Sequence, residues 1–200
     1  MKKYKATPLF IPCEQGLLFA MYYAPRLGRT KQCVIHVPAF AEEMNKSRRM
    51  VALQAAAFAE EGVAVLVLDL WGTGDSQGEI GGATWAIWLE NIHAAIAWLH
   101  AQKHHELSLW GLRSGVLLAL DYLQQYDMKI RHFIAWQPVL KGETFVMQFL
   151  RLRIATAMMD KNVPQEKTAD LRKQLMMGES IEVAGYLVNP ELINPLLHLK

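Results

Sequence analysis

One stretch, residues 106–120, constrains the fold of this chain more than any other. Its sequence, ELSLWGLRSGVLLAL, indicates a short buried strand, a tight turn and an apolar helix. Gly111 and Gly115 flank the turn, and Arg113 stands midway between them. Glycine at both positions lets the strand and the helix approach closely, so the turn between them is expected to be sharp. The sequence therefore predicts a strand–turn–helix unit with Arg113 at the apex.

This glycine spacing resembles that of the nucleophile elbow of α/β-hydrolases, G-x-Nuc-x-G, whose middle residue attacks the substrate. Here the middle residue is Arg113, which lies between Leu112 and Ser114. Arginine stays protonated in proteins, so it cannot attack a carbonyl carbon. The chain thus resembles a hydrolase in the spacing of the turn and departs from it in the residue that would perform the chemistry.

A register shifted by one residue would make Ser114 the nucleophile. Leu112 and Val116 would then occupy the two small positions. Their branched side chains do not suit a strained turn in which strand and helix nearly touch. We therefore place Arg113 at the apex and Ser114 in the first turn of the helix, where it offers its backbone N–H. Ser114 remains the alternative catalytic residue.

Apolar runs and helical periodicities alternate along the rest of the chain. Apart from the strand before Arg113, five strands are indicated, at residues 7–13, 17–24, 32–37, 63–70 and 132–136. One helix is predicted to be capped by Asn45 or Ser47 and to end near Glu61, and Thr84 is predicted to cap another. This alternation predicts an α/β fold, a mostly parallel sheet with flanking helices, whose functional loops lie at the carboxyl ends of the strands.

The pattern changes after residue 142. Two amphipathic helices are predicted there, at residues 143–159 and 167–177. An insertion at this point resembles the helical cap that α/β-hydrolases carry over their site, so a cap region of about residues 143–180 is expected. The whole chain, residues 1–200, is predicted to be a single α/β-hydrolase-like domain. Because no further strand–helix units follow the cap region, the C-terminal part of the fold is expected to be incomplete.

Longer strings narrow the resemblance. DLWGTGDS, at residues 69–76, resembles the D-x-x-G-x-G-x-S loop of α/β-hydrolases, and VPAF at 37–40 resembles their V-H-G-F. Three further segments resemble one narrower family, the exosortase A system-associated hydrolase, type 2. They are PAFAEEMNKSRRM at 38–50, WQPVLKGETF at 136–145 with QFLRLR at 148–153, and VAGY at 183–186.

This resemblance covers nearly the whole chain and carries several implications. It implies a bacterial protein encoded beside exosortase and exopolysaccharide genes. The family name implies hydrolysis but specifies no reaction. The superfamily pattern also implies an oxyanion-type pair of backbone N–H donors at Phe40 and Ser114.

Composition excludes several classes of protein. With 52% apolar residues, the 200-residue chain is long enough to fill one core. A net charge of +2 without a basic cluster argues against nucleic-acid binding. The longest apolar run, residues 63–68, is too short for a membrane span, and no signal peptide is recognisable. Cys13 and Cys33 indicate reduced thiols and a cytoplasmic location, with a disulfide between them as the alternative. No metal site and no cofactor are predicted.

A hydrolase of this fold also needs a histidine base and an acid. Of the seven histidines, three precede strands, at the edge of the sheet away from the functional loops: His104, His105 and His132. The other four lie in a strand, on a helix or near the terminus: His36, His93, His100 and His198. None of the seven is placed as a base, so the sequence contains no identifiable triad.

Paired carboxylates on the strand-end loops could do acid–base work, and two further interpretations involve Arg113. In the first, Glu42 or Glu43 pairs with Arg113, because the Phe40 loop neighbours the elbow in this fold. In the second, Arg113 and the helix N-terminus form an anion site for a carboxylate or a phosphate. The elbow comprises Gly111, Leu112, Arg113, Ser114 and Gly115, and the predicted pocket around it comprises Ala39, Glu42, Glu43, Asp69, Trp71, Asp75, Trp136 and Gln137.

Two classes of function remain. One is an active esterase- or peptidase-like hydrolase that uses Ser114 or residues beyond this chain. The other is a relative with little or no serine-hydrolase activity, which binds a small anionic or acyl ligand or a protein partner of the exosortase and exopolysaccharide system. The residue at the apex favours the second class.

Overall fold

The computed structural model describes residues 3–26, 30–157 and 166–199. Its strands are β1 (Tyr4–Cys13), β2 (Gly16–Pro25), β3 (Gln32–Val37), β4 (Ala64–Leu68), β5 (Glu106–Leu112), β6 (Phe133–Trp136), β7 (Ile181–Val183) and β8 (Tyr186–Val188). Its helices are α1 (Glu42–Glu60), α2 (Trp85–Ala101), α3 (Ser114–Gln125), α4 (Gly142–Ala157), α5 (Thr168–Met176) and α6 (Pro190–Ile193), with short 3₁₀ segments at Ile80–Gly82 and Asn194–His198.

Six strands form one sheet in the order β1-β2-β4-β3-β5-β6. The four strands β3 to β6 run parallel, whereas β1 and β2 pair antiparallel at one edge. The central strands β3, β4 and β5 are buried along most of their length, which suits continuous apolar runs covered by helices on both faces. The predicted mostly parallel sheet with flanking helices is therefore confirmed.

The two faces of the sheet are covered by different helices. Ile35 and Leu66 of the sheet pack in one cluster with residues of α2 and α3, such as Ile92 and Leu117. Val34, Val65 and Trp110 face the opposite side, where Val51, Ala55 and Ala59 of α1 cover them. The alternation of strand side chains thus decides which helix each residue meets.

The register of β3 and β5 places two loops side by side. Val37 pairs with Gly111 at the carboxyl ends of these strands. The chain after β3 therefore turns into α1 beside the point where the chain after β5 turns into α3. This neighbouring pair of turns positions the candidate site.

The segment after β6 packs back over the carboxyl ends of β3 and β5. Phe145, Val146, Phe149 and Leu150 of α4 are buried in the cluster that also contains α2 and α3. A side chain at Gly142 would overlap the backbone of Leu196, so α4 begins in close contact with the 3₁₀ segment Asn194–His198. The predicted end of this helix, at residue 159, lies outside the described residues.

Some helix starts differ from the sequence expectation. Thr84 caps α2, as predicted, and its hydroxyl accepts from the Ile87 N–H at 3.1 Å. The predicted cap of α1 at Asn45 or Ser47 is wrong, because α1 already begins at Glu42 behind a bend at Ala41. Ser47 lies inside the helix, where its hydroxyl donates to the Met44 carbonyl.

Two further expectations concern the cysteines and the membrane. Cys13 and Cys33 are free thiols, and they lie on β1 and β3, which are not adjacent in the sheet. In the part of the chain that the structure describes, no helix has the length and hydropathy required to cross a bilayer.

Candidate functional site

The turn between β5 and α3 has Arg113 at its apex. Arg113 is the N-cap of α3 and has φ 54° and ψ −117°, a positive-φ conformation that a non-glycine residue adopts only at a cost. Hydrogen bonds hold it on both sides: its backbone N–H donates to the Trp136 carbonyl at 3.0 Å, and its carbonyl accepts from Val116 at 3.2 Å and Val139 at 3.3 Å. The apex position predicted from the glycine spacing is thus confirmed.

The two glycines permit this sharp turn. A Cβ atom on Gly111 would lie 2.7 Å from Val116 Cα, and one on Gly115 would overlap the carbonyl oxygens of Val37 and Pro38. Strand and helix therefore approach as closely as the spacing predicts. Ser114 is the first residue of α3, is 6% exposed, and does not occupy the apex.

A second turn beside the elbow has nearly the same backbone conformation. Ala41 is the N-cap of α1, with φ 52° and ψ −127°. Phe40, which precedes it, is buried against Phe145 and Phe149 of α4, with ring centroids 5.8 and 5.0 Å away. Two helices therefore begin side by side at the carboxyl ends of β3 and β5, with an aromatic cluster beside them.

The guanidinium of Arg113 pairs with a carboxylate from the neighbouring turn. Its Nε donates to Glu43 Oε1 at 3.1 Å, and the two side chains are 32% and 40% exposed. The other carboxylate oxygen, Glu43 Oε2, is buried and has no hydrogen-bond partner among the described residues. The structure thus contains the predicted pairing of Arg113 with Glu42 or Glu43, and the partner is Glu43.

Glu42 has a different partner. Its Oε1 accepts from the Tyr186 hydroxyl at 2.7 Å, and that hydroxyl also accepts from Asn45 Nδ2 at 3.1 Å. Burial, followed by the hydrogen bond to Glu42, raises the pKa of Tyr186 to about 12. This contact joins the β7–β8 hairpin to the first turn of α1.

These groups line a cavity of about 140 Å³. Its polar side chains are Glu42, Glu43, Arg113, Gln148 and Tyr186, and its apolar walls are Phe40, Ala41, Phe145, Phe149, Leu152 and Ala184. With two carboxylates and one guanidinium, the lining carries a net negative charge. The cavity lies between the two turns on one side and α4 with the hairpin on the other.

Several residues of the predicted pocket lie elsewhere. The Asp69 side chain is 3% exposed and accepts from Arg48 Nη2 at 2.9 Å and from the Asp75 N–H at 3.0 Å. Asp69 and Asp75 border a second cavity of about 240 Å³ between α1 and the sheet. Asp69 therefore organises its own loop and does not reach Arg113.

The two predicted tryptophan walls are also displaced. Trp71 packs its ring over Gly78 and Gly82, and its backbone N–H donates to Asn91 Oδ1 at 2.8 Å. Trp136 contacts Trp110, with ring centroids 4.7 Å apart, on the face of the sheet that α1 covers. The prediction for Trp136 is wrong because its side chain faces the α1 side of the sheet, which the loop spacing does not reveal. The prediction for Trp71 is wrong because its ring packs against Gly78 and Gly82 instead of Arg113.

Two smaller predictions are also wrong. Ala39 is buried in the cluster that faces α1, and Gln137 is exposed with φ 41°. Of the eight predicted pocket residues, only Glu42 and Glu43 line the cavity beside Arg113.

No histidine lines this cavity within the described ranges. His36 is 2% exposed in β3, and neither of its ring nitrogens has a hydrogen-bond partner there. Burial lowers the pKa of His36 to about 3. The His104 Nε2 forms a hydrogen bond with the Tyr22 hydroxyl at 2.7 Å, near the other end of the sheet.

Sequence reasoning expected a helical cap over the site, but it did not identify which residues of α4 line the cavity, and it missed the hairpin. Phe145 and Phe149 are four residues apart, a helical spacing that indicates one buried face. The VAGY string contains Ala184 and Tyr186, but nothing in its composition marks a pocket wall. These residues reach Arg113 only because α4 and the hairpin fold back over the carboxyl ends of the strands.

Comparison with known proteins identifies the family. Residues 28–195 match the family model described as Serine aminopeptidase, S33. No curated protein is similar enough to the chain to count as a match.

Solved structures resemble the whole fold at low sequence identity. One is Est1E from Butyrivibrio proteoclasticus with bound ferulic acid, with 18% identity, a TM-score of 0.65, and coverage of 96% of this chain and 71% of that one. Another is a putative hydrolase from Agrobacterium vitis S4, with 16% identity, a TM-score of 0.60, and coverage of 96% and 70%.

A third similar structure is an alpha-beta serine hydrolase homologue from Coxiella burnetii, with 21% identity, a TM-score of 0.54 and coverage of 64% of this chain. This chain spans 61% of the length of that structure. At such identities, these similarities show the fold alone. Since the family model spans most of its residues, the chain belongs to the serine aminopeptidase S33 family and has the α/β-hydrolase fold.

Proposed function

We propose that this chain is a ligand-binding α/β-hydrolase of the exosortase and exopolysaccharide system, with little or no serine-hydrolase activity. The observation that carries the proposal is the guanidinium at the apex of the elbow, where Arg113 has φ 54°. The association with that system is supported by the sequence strings at residues 38–50, 136–153 and 183–186.

The surroundings of the apex support binding without cleavage. A serine hydrolase needs a nucleophile, a base within hydrogen-bond reach of it, and an acid that orients the base. At the apex stands a permanently charged group that cannot attack, and its hydrogen-bond partner is Glu43. An oxyanion-type pair of N–H groups at Phe40 and Ser114 would then bind an oxygen without a nucleophile to exploit it.

A small anionic or acyl ligand fits the groups that remain. The first N–H groups of α3 and its partial positive charge lie beside Arg113. A ligand carboxylate or phosphate would accept from the guanidinium in competition with Glu43. Est1E, whose structure matches 96% of this chain, holds ferulic acid, which supports a small acid as a candidate ligand here.

The second candidate is an esterase- or peptidase-like hydrolase that uses Ser114 or residues beyond this chain. Membership of the S33 family favours it, as does the structural similarity to Est1E. In the structure, Ser114 is buried at the start of α3.

Ester hydrolysis separates the two candidates. The wild-type chain, Arg113→Ala and Ser114→Ala are assayed with p-nitrophenyl acetate and p-nitrophenyl butyrate over a range of concentrations. We expect all three proteins to give the same rate as the buffer. Saturable hydrolysis that is lost in Ser114→Ala and retained in Arg113→Ala would overturn the proposal in favour of the second candidate.

A further inference from the structure

The Arg113–Glu43 pair leaves both partners with unused hydrogen-bonding atoms. The pair uses Nε of the arginine and Oε1 of the glutamate. In the described part of the chain, Glu43 is the hydrogen-bond partner of the guanidinium, so its two terminal nitrogens still have N–H groups to donate. Among the described residues Glu43 Oε1 accepts from Arg113 alone, although a carboxylate oxygen can accept two hydrogen bonds, and Oε2 is buried and has no partner.

These unused atoms require two different groups from a ligand. The terminal nitrogens of Arg113 donate, so they need an acceptor. The Glu43 carboxylate, on a side chain that is 40% exposed, accepts at Oε1, so it needs a donor. Because the two side chains are bonded to each other and line the same cavity, a ligand that satisfies both must carry its acceptor and its donor on neighbouring atoms.

The charge of the cavity narrows the choice of acceptor and donor. Glu42 and Glu43 give the lining two carboxylates against the single guanidinium of Arg113. A ligand carboxylate alone would bind Arg113 but would lie next to Glu43 with nothing between the two negative groups. A hydroxyl beside that carboxylate would donate to Glu43 Oε1 and would separate the two negative groups.

The size and walls of the cavity limit the rest of the ligand. The volume of about 140 Å³ is close to that of an apolar cavity that holds one six-membered ring. Phe40, Phe145 and Phe149 supply flat apolar surfaces for such a ring. Gln148 and Tyr186 add polar groups at other points of the lining, which suits a ring with several hydroxyls.

On the basis of the ligand-binding role proposed above, we infer that this cavity takes a ring-sized hydroxy acid of the sugar-acid class. The ligand carboxylate accepts from the terminal nitrogens of Arg113. A neighbouring ligand hydroxyl donates to Glu43 Oε1. The ring lies against the phenylalanine walls under α4.

Three matched ligands test this inference by isothermal calorimetry with the wild-type chain. D-Glucuronate carries the ring, the carboxylate and the hydroxyls. D-Glucose lacks the carboxylate, and cyclohexanecarboxylate lacks the hydroxyls. We expect D-glucuronate to bind at least tenfold more tightly than either of the others.

Variants of Arg113 and Glu43 test whether this ion pair causes the preference for D-glucuronate. Arg113→Met should weaken D-glucuronate binding at least tenfold. Glu43→Leu removes the acceptor, so D-glucuronate should lose its advantage over cyclohexanecarboxylate. Arg131→Met serves as the matched control, because Arg131 pairs with Glu106 at the start of β5 and should leave binding unchanged. Thermal unfolding of each variant verifies that it folds.

The outcomes separate this inference from the function on which it rests. Equal binding of D-glucuronate and cyclohexanecarboxylate by the wild type would overturn the hydroxy-acid inference while leaving the ligand-binding role intact. Failure of the wild type to bind D-glucuronate would also overturn the hydroxy-acid inference. Both of these tests use the wild-type chain, so they do not depend on the folding of any variant. Serine-dependent ester hydrolysis, in contrast, would overturn the proposed function itself.

Discussion

Among single residues, burial decides which charged or titratable groups contribute to stability and which are left for binding. The Arg113 and Glu43 side chains are 32% and 40% exposed, and ion pairs at this level of exposure contribute about 0–1 kcal/mol. Their pairing therefore costs little to break when a ligand competes for the guanidinium. Asp69, at 3% exposed, is instead fixed by two hydrogen bonds, one from Arg48 of α1 and one from the Asp75 N–H of its own loop.

His36 provides a prediction at this scale. Burial lowers the pKa of His36 in the folded chain from 6.5 to about 3. Below pH 6.5 the unfolded chain binds a proton that the folded chain does not, so the free energy of unfolding falls as the pH falls. We expect His36→Leu to lose this contribution, which approaches about 1 kcal/mol per pH unit below pH 6.

Urea unfolding of both proteins at pH 7.5, 6.5 and 5.5 measures the difference. Burial also lowers the pKa of His104, which has the same sign of effect. His104 is present in both proteins, so the comparison isolates His36. Parallel pH profiles for wild type and His36→Leu would contradict the prediction.

Among the secondary-structure elements, α1 and α3 each begin after a strained turn at the carboxyl ends of the parallel strands. Arg113 precedes α3 and Ala41 precedes α1, both with positive φ. The first bend was predictable because Gly111 and Gly115 mark it. The second was not predictable. Asn45 and Ser47 carry the side chains that usually cap a helix, but the turn at Ala41 starts α1 three residues before Asn45.

Gly115 tests the close approach of α3 to β3. Alanine at this helical position would gain up to about 1 kcal/mol in intrinsic helix propensity. Its Cβ, however, would overlap the carbonyl oxygens of Val37 and Pro38, which are backbone atoms that cannot rotate away. We expect Gly115→Ala to lower the free energy of unfolding by about 1–3 kcal/mol, because overpacking outweighs propensity.

Gly81→Ala is the control for this substitution. A Cβ at Gly81 would lie 3.3 Å from Leu187 Cδ2, the end of a flexible side chain. The free energy of unfolding of Gly81→Ala, measured in urea, should differ from that of the wild type by less than about 0.5 kcal/mol. Equal effects of the two substitutions would show that β3 and α3 are not in the close contact described.

Across the molecule as a whole, the sequence predicts the sheet better than the cavity. Continuous apolar runs specify β3 to β5 because strands covered on both faces need them. The cavity joins Phe40, Arg113, Phe149 and Tyr186, which are far apart in sequence. No local pattern predicts how the hairpin packs over the elbow or which side chains of α4 face it, so sequence reasoning identified the charged pair and the cap helix and missed most of the side chains that form the walls.

The proposed function requires that this α/β-hydrolase binds at its elbow without a serine nucleophile. The most direct measurement is the intact mass of the protein after incubation with an excess of a fluorophosphonate probe, with Ser114→Ala treated in parallel and an active serine hydrolase as the positive control. We predict that the wild-type mass stays unchanged while the control enzyme gains one probe. A single adduct on the wild type that is missing from Ser114→Ala would contradict the proposed function.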